Sequence, residues 1–183
     1  MMEDLSLHIL DIAENSIKAG AGSLCILLRV DREADLLTIE VEDDGPGIPD
    51  AMRHAVFDPF VTTRTTRRVG LGLPFLRQAC RQCEGDADVG PASGRGTRVT
   101  ATFRLSHTDL QPLGDLGATV VALLAATGAP HLTLTVASGR RRYVFSSADL
   151  EAELGSGCFT DPAVQQFVAR TVRDETQEIA GLK

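Results

Sequence analysis

Cysteine is scarce in this chain and dispersed along it. Cys25, Cys80, Cys83 and Cys158 are too few and too scattered to staple a secreted disulfide scaffold of 183 residues. A reducing, cytoplasmic setting is the simplest expectation. Long apolar runs are also missing: none approaches the roughly 20 residues of a membrane helix. The longest, residues 120–126, suits a buried helix, and the acidic opening Met1-Met2-Glu3-Asp4 does not read as a signal peptide. There is no excess of positive charge. With 25 acidic against 18 basic residues the net charge is -7, which argues against a broad surface for displacing counterions from nucleic acid. A local anion site remains allowed, because Arg64, Arg67 and Arg68 cluster. Internal repeats and low-complexity tracts are absent.

What is present is an ordinary globular balance. A composition 43% hydrophobic and 23% charged can bury a core, in one medium domain or one domain with a smaller annex. Residues 3–19 read as a helix with Leu5, Ile9, Ile12, Ser16 and Ala19 near one face, stopped by Gly20 and Gly22. Residues 24–30 and 36–41 read as a hairpin whose second strand runs into Glu42-Asp43-Asp44-Gly45-Pro46-Gly47. A short helix over 51–56 precedes a Thr- and Arg-rich loop over 57–69, and a helix over 71–83 tolerates Pro74 in its first turn. Strands are expected over 85–89 and 98–105, with the turn Gly94-Arg95-Gly96-Thr97 between them. Past residue 106 the character changes. A linker with Pro112 and Gly114 leads to a helix over 115–127, a hairpin over 131–137 and 141–146, and acidic helices over 148–154 and 161–179.

Several residues could carry chemistry. Asp11 and Asn15 lie four apart on the first helix and project from one face. Such a carboxylate and carboxamide can hold an oxygen-loving cation such as Mg²⁺ or polarise water, or simply form a solvated face. Lys18 lies one turn beyond Asn15, within reach of a phosphate. Asp43, at a strand end, can accept an amino group from a base, and Gly45 and Gly47 allow close backbone approach. An acidic turn is the plainer alternative. Gly70-Leu71-Gly72-Leu73-Pro74 opens a helix whose free N–H groups suit phosphate, or is a glycine-rich turn. No lysine follows in the manner of a Walker A loop, which excludes that fold. Cys80 and Cys83 form a Cys-x-x-Cys pair inside a helix. Structural zinc usually takes four ligands and no second pair exists, so packing in or beside the core is expected. Arg140-Arg141-Arg142 reads as a charged hairpin turn or a grip for an acidic partner.

These elements together, in this order, resemble the GHKL superfamily of histidine kinases, type II topoisomerases and mismatch-repair ATPases. The stretch Leu10-Asp11-Ile12-Ala13-Glu14-Asn15-Ser16-Ile17-Lys18-Ala19-Gly20 resembles the N box of that family. Val41-Glu42-Asp43-Asp44-Gly45-Pro46-Gly47-Ile48-Pro49 resembles the G1 box, and Phe57-Asp58-Pro59-Phe60 the F box. Gly70-Leu71-Gly72-Leu73-Pro74 matches the G2 box, and Gly94-Arg95-Gly96-Thr97 the final Gly-x-Gly-Thr element.

The resemblance implies a two-layer α/β sandwich of the histidine-kinase-like ATPase (Bergerat) type. It assigns residues 1–106 to the ATP-binding domain and 107–183 to a C-terminal α+β extension for partner or self-interaction. It implies ATP and Mg²⁺ as cofactors. Asn15 would bind the metal, Asp43 would read the adenine amino group, and Gly45 and Gly47 would line the base pocket. Gly70 and Gly72, with Leu71 and Leu73 in the same element, would meet the phosphates, and Thr97 would back the adenine. Residues 57–69 would form a lid from which Arg64, Arg67 and Arg68 could neutralise charge. Hydrolysing relatives usually carry glutamate where Asp11 stands, one methylene longer, so Asp11 is the catalytic candidate with a shorter reach. Glu14 points a quarter-turn away and is the weaker base.

The N box begins near the first residue, so the phosphoacceptor hairpin of a transmitter kinase is expected to be missing. His8, one turn before Asp11, is expected to be structural. The resemblance therefore favours an Mg²⁺·ATP-dependent protein kinase or ATPase acting on, or gated by, a protein partner. The alternative is a non-catalytic adenine-nucleotide sensor within a larger complex. Neither nucleic acid nor membrane is expected as a partner, and homodimer formation is left open.

Overall fold

The computed structural model describes residues 3–53, 55–58 and 72–182. Helix α1 (Leu5–Lys18) starts where Asp4 accepts the Leu7 N–H at 3.0 Å. Two further first-turn donors, the N–H groups of Leu5 and Ser6, go to the carbonyls of Pro112 and Leu113. Strands β1 (Ser23–Asp31) and β2 (Leu36–Asp43) form the expected hairpin. The short helix α2 (Asp50–Arg53) and a 3-10 turn (Ala55–Phe57) follow, then α3 (Gly72–Gln82), β3 (Ala87–Pro91) and β4 (Thr97–Arg104). Beyond the linker come α4 (Leu116–Leu124), β5 (His131–Ser138), β6 (Arg141–Ser146), α5 (Ser147–Leu154), a second 3-10 turn (Cys158–Thr160) and α6 (Pro162–Ala180).

The six strands make one mixed sheet in the order β3-β4-β2-β1-β5-β6. Every neighbouring pair is antiparallel except β1 and β5, which run parallel from Ser23↔His131 to Val30↔Ser138. Side chains alternate across a strand, so each contributes one buried row. Leu24, Ile26, Leu28 and Val30 of β1 line up with Leu37, Ile39 and Val41 of β2, with Val99, Ala101 and Phe103 of β4, and with Leu132, Leu134 and Val136 of β5. Against this face lie α1, α3, α4 and α6, while Cys25 and Arg29 on the opposite face are exposed. The expected two-layer α/β sandwich is the observed architecture.

Residues past the linker carry the same sheet outward. Helix α6 packs on α4 and on both added strands, and two arginines, one from the β1–β2 turn and one from the first position of β6, hold its C-terminal end. Arg32 Nη2 donates to the Ala180 carbonyl at 2.8 Å and Arg141 Nη1 to that of Glu178 at 3.0 Å, at the negative pole of the helix. Strand β3 begins two residues later than the sequence suggests. Gly85 is pressed so closely on the Thr102 carbonyl that a Cβ there would sit 1.8 Å from the oxygen. The Asp86 side chain is engaged by Arg77 and Arg81.

Arg77 spans Asp86 with bonds of 2.8 and 3.1 Å, while its guanidinium lies 4.6 Å from the Phe57 ring centre. It thereby ties α3 to the 3-10 turn and to the start of β3. The Arg77 bonds, with those from the Ala87 N–H and Arg81, hold the Asp86 carboxyl well below the usual carboxylate range. A depressed folded-state value contributes stability that is complete above the unfolded carboxylate value of about 3.9. That stability is lost as pH falls through the folded value. Asp86→Asn is therefore expected to flatten the acid limb of unfolding free energy against pH below about 4. Parallel curves for the two proteins, measured by urea unfolding, would mean that the ion pair contributes nothing.

A chain ending at residue 106 would strip β1 of a hydrogen-bonded neighbour and leave the Leu5 and Ser6 N–H groups without their acceptors. It is expected to melt more than about 10 °C below the full chain or without a cooperative transition. A calorimetric melting temperature equal to that of the full chain would refute this.

Candidate nucleotide site

Strand alternation carries the core-facing row of β2 from Leu37, Ile39 and Val41 to Asp43, a carboxylate only 9% exposed. The same rule makes Thr97 the first inward residue of β4, ahead of Val99. Above them, Leu5, Ile9, Ile12 and Ser16 form the buried stripe of α1. Three separate segments therefore meet at one carboxylate. Ser16 Oγ donates to Asp43 Oδ2 at 2.7 Å, while the Gly45 and Thr97 N–H groups donate to Oδ1 at 2.9 and 3.3 Å. Buried polar groups must be paired, and these bonds hold the carboxylate in one orientation.

The glycines make that convergence sterically feasible. A Cβ on Gly96, at φ +119°, would lie 1.8 Å from the Asp43 carbonyl oxygen, and one on Gly45 would lie 2.9 Å from Asp43 Oδ1. Gly47 packs against the Gly96 carbonyl. Asp44 ties this loop to the start of β1 by accepting the Gly22 and Ser23 N–H groups at 2.8 and 2.9 Å. Those backbone bonds, Ser23 foremost, hold its carboxyl below the ordinary value.

A second convergence joins α1 to α3. The Asp11 carboxylate lies directly over the first residue of α3, where a Cβ on Gly72 would be 1.7 Å from Asp11 Oδ2. Asn15 is half-buried one turn along the same face of α1, and Leu73 packs partly buried against the core. Lys18 is exposed and paired with Glu14 at 2.6 Å, an i,i+4 contact. Of the residues singled out in the sequence, Asp43, Gly45, Gly47 and Thr97 gather in one place, and Asp11 and Gly72 in another. Arg64, Arg67, Arg68, Gly70 and Leu71 lie outside the described residues, as do Pro59 and Phe60 of the F box and His54.

Other sequence candidates resolve as packing. His8 is buried with Nε2 3.2 Å from Gln111 Oε1, and burial lowers its pKa. Cys80 and Cys83 are free, buried thiols, and burial pushes Cys80 up to about 12, where no thiolate forms near neutral pH. Among the described residues, no three His, Cys, Asp or Glu side chains gather as a metal cluster.

Ser16 and Asp44 were not singled out from the sequence. Ser16 sits at a core position of the helical stripe, and only its polarity there signalled a buried partner. Ser16→Ala is expected to destabilise the fold by about 1.5–3 kcal/mol, the range for a bond to a charged group, measured by chemical denaturation. A change below about 0.5 kcal/mol would show that the Asp43 carboxylate does not depend on it.

A sequence profile described as "Histidine kinase-, DNA gyrase B-, and HSP90-like ATPase" matches residues 3–107. The C4-dicarboxylate transport sensor protein DctS of Rhodobacter capsulatus is 39% identical over 78 residues, 43% of this chain and 12% of that protein. The sensor histidine kinase YxdK of Bacillus subtilis is 32% identical over 104 residues, 54% of this chain and 32% of that protein. The chain thus spans a third or less of these relatives. In fold it is similar to the N-terminal domain of a DNA repair protein, with a TM-score of 0.52 at 13% identity. That alignment covers 85% of this chain and 58% of the other. More than half of the chain lies within the matched profile, and the protein belongs to the histidine kinase-, DNA gyrase B- and HSP90-like ATPase family.

Proposed function

We propose that this protein binds Mg²⁺·ATP and transfers or releases the terminal phosphoryl group under the control of a partner protein. The observation that carries the reading is the Asp43 carboxylate. A carboxylate offers about four acceptor sites, and three are taken by Ser16, Gly45 and Thr97. An amino group of adenine supplies the donor that completes the set, and Thr97 stands beside it. Asn15 would hold the Mg²⁺ through its carboxamide oxygen, with nucleotide phosphates and water as the other ligands. The bound ion supplies neutralisation of phosphate charge.

The chain's own residues position and orient. Gly72 opens α3, whose N-terminal dipole favours phosphate oxygens, and its lack of a side chain admits the Asp11 carboxylate. Asp11 is the group that would accept a proton from, or orient, an attacking hydroxyl or water. Lys18, exposed beside Glu14, would exchange that partner for a phosphate. Arg64, Gly70 and Leu71 are assigned to the phosphates by motif. Residues 1–106 form the nucleotide-binding part in this reading, and 107–183 serve partner or self-interaction, in a cytoplasmic protein.

The second reading, a nucleotide sensor without turnover, draws on Asp11 as the shorter carboxylate. It also draws on the two hydrogen bonds through Gly22, which donates its N–H to Asp44 and accepts the His131 N–H, between the loop and the extension.

Calorimetric titration of ATP and ADP with Mg²⁺ into wild type and Asp43→Asn, with phosphate release assayed on the same samples, separates these readings. Dissociation constants in the micromolar range, about -8 kcal/mol, are expected for wild type, weakened at least tenfold in the variant. Phosphate release abolished by Asp11→Ala selects the enzyme. Binding without release selects the sensor, and absence of binding by wild type overturns both.

A further inference from the structure

We propose that a cavity of about 420 Å³ in the C-terminal part of the chain is a binding site for a small organic cation, an ammonium or guanidinium on a short apolar stem. It lies between the end of α4, the start of β5, α5, the second 3-10 turn and the first turns of α6. The size falls within the range of small-molecule pockets.

The chemistry of the lining selects charge. Among the described residues that line it, Glu151 is the one carboxylate, His131 the one imidazole, and there is no lysine or arginine. Leu124 is the last residue of α4 and Ala125 its C-cap, so the carbonyl end of that helix, with its partial negative charge, borders the cavity. Two helix starts, those of α5 and α6, also border the cavity and would favour an anion if open. Each is closed by its own cap: Ser146 Oγ accepts the Asp149 N–H at 3.2 Å, and the Asp161 carboxylate accepts the Ala163 N–H at 2.8 Å. Other donors at or beside the wall are engaged as well: the His131 N–H with the Gly22 carbonyl, the Gly157 N–H with Glu151 Oε1 at 3.4 Å, the Leu132 N–H with Ser147 Oγ and Gln165 Nε2 with the Phe159 carbonyl. The charged and dipolar features left to meet a ligand are Glu151 and the carbonyl end of α4, beside a wall of Phe159, Pro130 and Leu124 suited to an apolar stem.

The position gives the site a consequence. His131, at the cavity edge, donates its N–H to the Gly22 carbonyl at 3.0 Å, and the Gly22 N–H is held by Asp44. Leu132 and Asp43 flank Leu24 from its two sides, so the next residue of β5 stands about two strand spacings, roughly 10 Å, from the Asp43 backbone. A ligand that shifts the α4–β5 turn acts on the segment holding the nucleotide loop. Occupancy of the cavity is thereby linked to nucleotide affinity, a link that rests on the nucleotide reading above, whereas cation binding itself does not.

The test is an amide-resolved NMR titration of the nucleotide-free full chain with benzylamine, set against benzyl alcohol as its uncharged counterpart. Saturable shifts at His131, Ser147, Glu151 and Gly157 are expected with the amine, at least about tenfold weaker with the alcohol and in Glu151→Gln. They should persist in Glu153→Gln, an exposed control on the same helix. Equal affinity for amine and alcohol, undiminished binding in Glu151→Gln, or no saturable shift would each overturn the site. Calorimetry of ATP with and without saturating benzylamine then reads the link, since coupling must be reciprocal. An unchanged ATP affinity would overturn the link alone. A wild-type protein that binds no ATP would refute the nucleotide reading while the amine shifts stood.

Discussion

The arrangement depends on one buried carboxylate. Asp43 continues the inward row of β2, where the preceding three members are Leu37, Ile39 and Val41. An ionised group in that row costs stability unless it is hydrogen-bonded, and the chain satisfies it from three directions. One donor comes from α1, one from the loop just past β2, and one from the start of β4. The glycines at 45 and 96 allow these segments to close on the carboxylate. A site built in this way is held in shape by the packing of the whole sheet end.

Strand β1 is the second organising element. It lies between β2, which ends at the carboxylate, and β5, which belongs to the C-terminal part. Its preceding residue Gly22 bonds to both sides, to Asp44 through its N–H and to His131 through its carbonyl. The linker adds a further connection, since its carbonyls cap α1, and Thr119 of α4 reaches the Ser6 carbonyl of that helix at 3.5 Å. The C-terminal part is thus bonded to both the strand and the helix that frame the candidate site.

What the sequence made legible was local. Alternation over residues 36–41 located β2, helical spacing over 3–19 located α1, and the motifs placed Asp43 and Thr97 where strands end or begin. The parallel pairing of β1 with β5 joins residues more than 100 positions apart, and no local pattern encodes such a register. Gly85 read as strand because its close packing on Thr102 depends on a neighbour 17 residues away. Ser16 escaped as a site residue because periodicity measures burial, and a serine in an apolar stripe is legible as functional only once its partner is known.

Helix α1 shows how one segment can serve both purposes. Successive residues turn by 100°, so Leu5, Ile9, Ile12 and Ser16 face the sheet while Asp11 and Asn15 point from a neighbouring, half-buried strip. Through the first row the helix fixes the Asp43 carboxylate; through the second it meets the start of α3 at Gly72. Displacement of α3 must therefore be accommodated at Asp11, on the rigid rod that also holds Asp43 and is capped by the linker. The contact is set by the glycine: a Cβ at position 72 would sit 1.7 Å from Asp11 Oδ2, so any side chain there would have to displace the carboxylate or part α3 from α1.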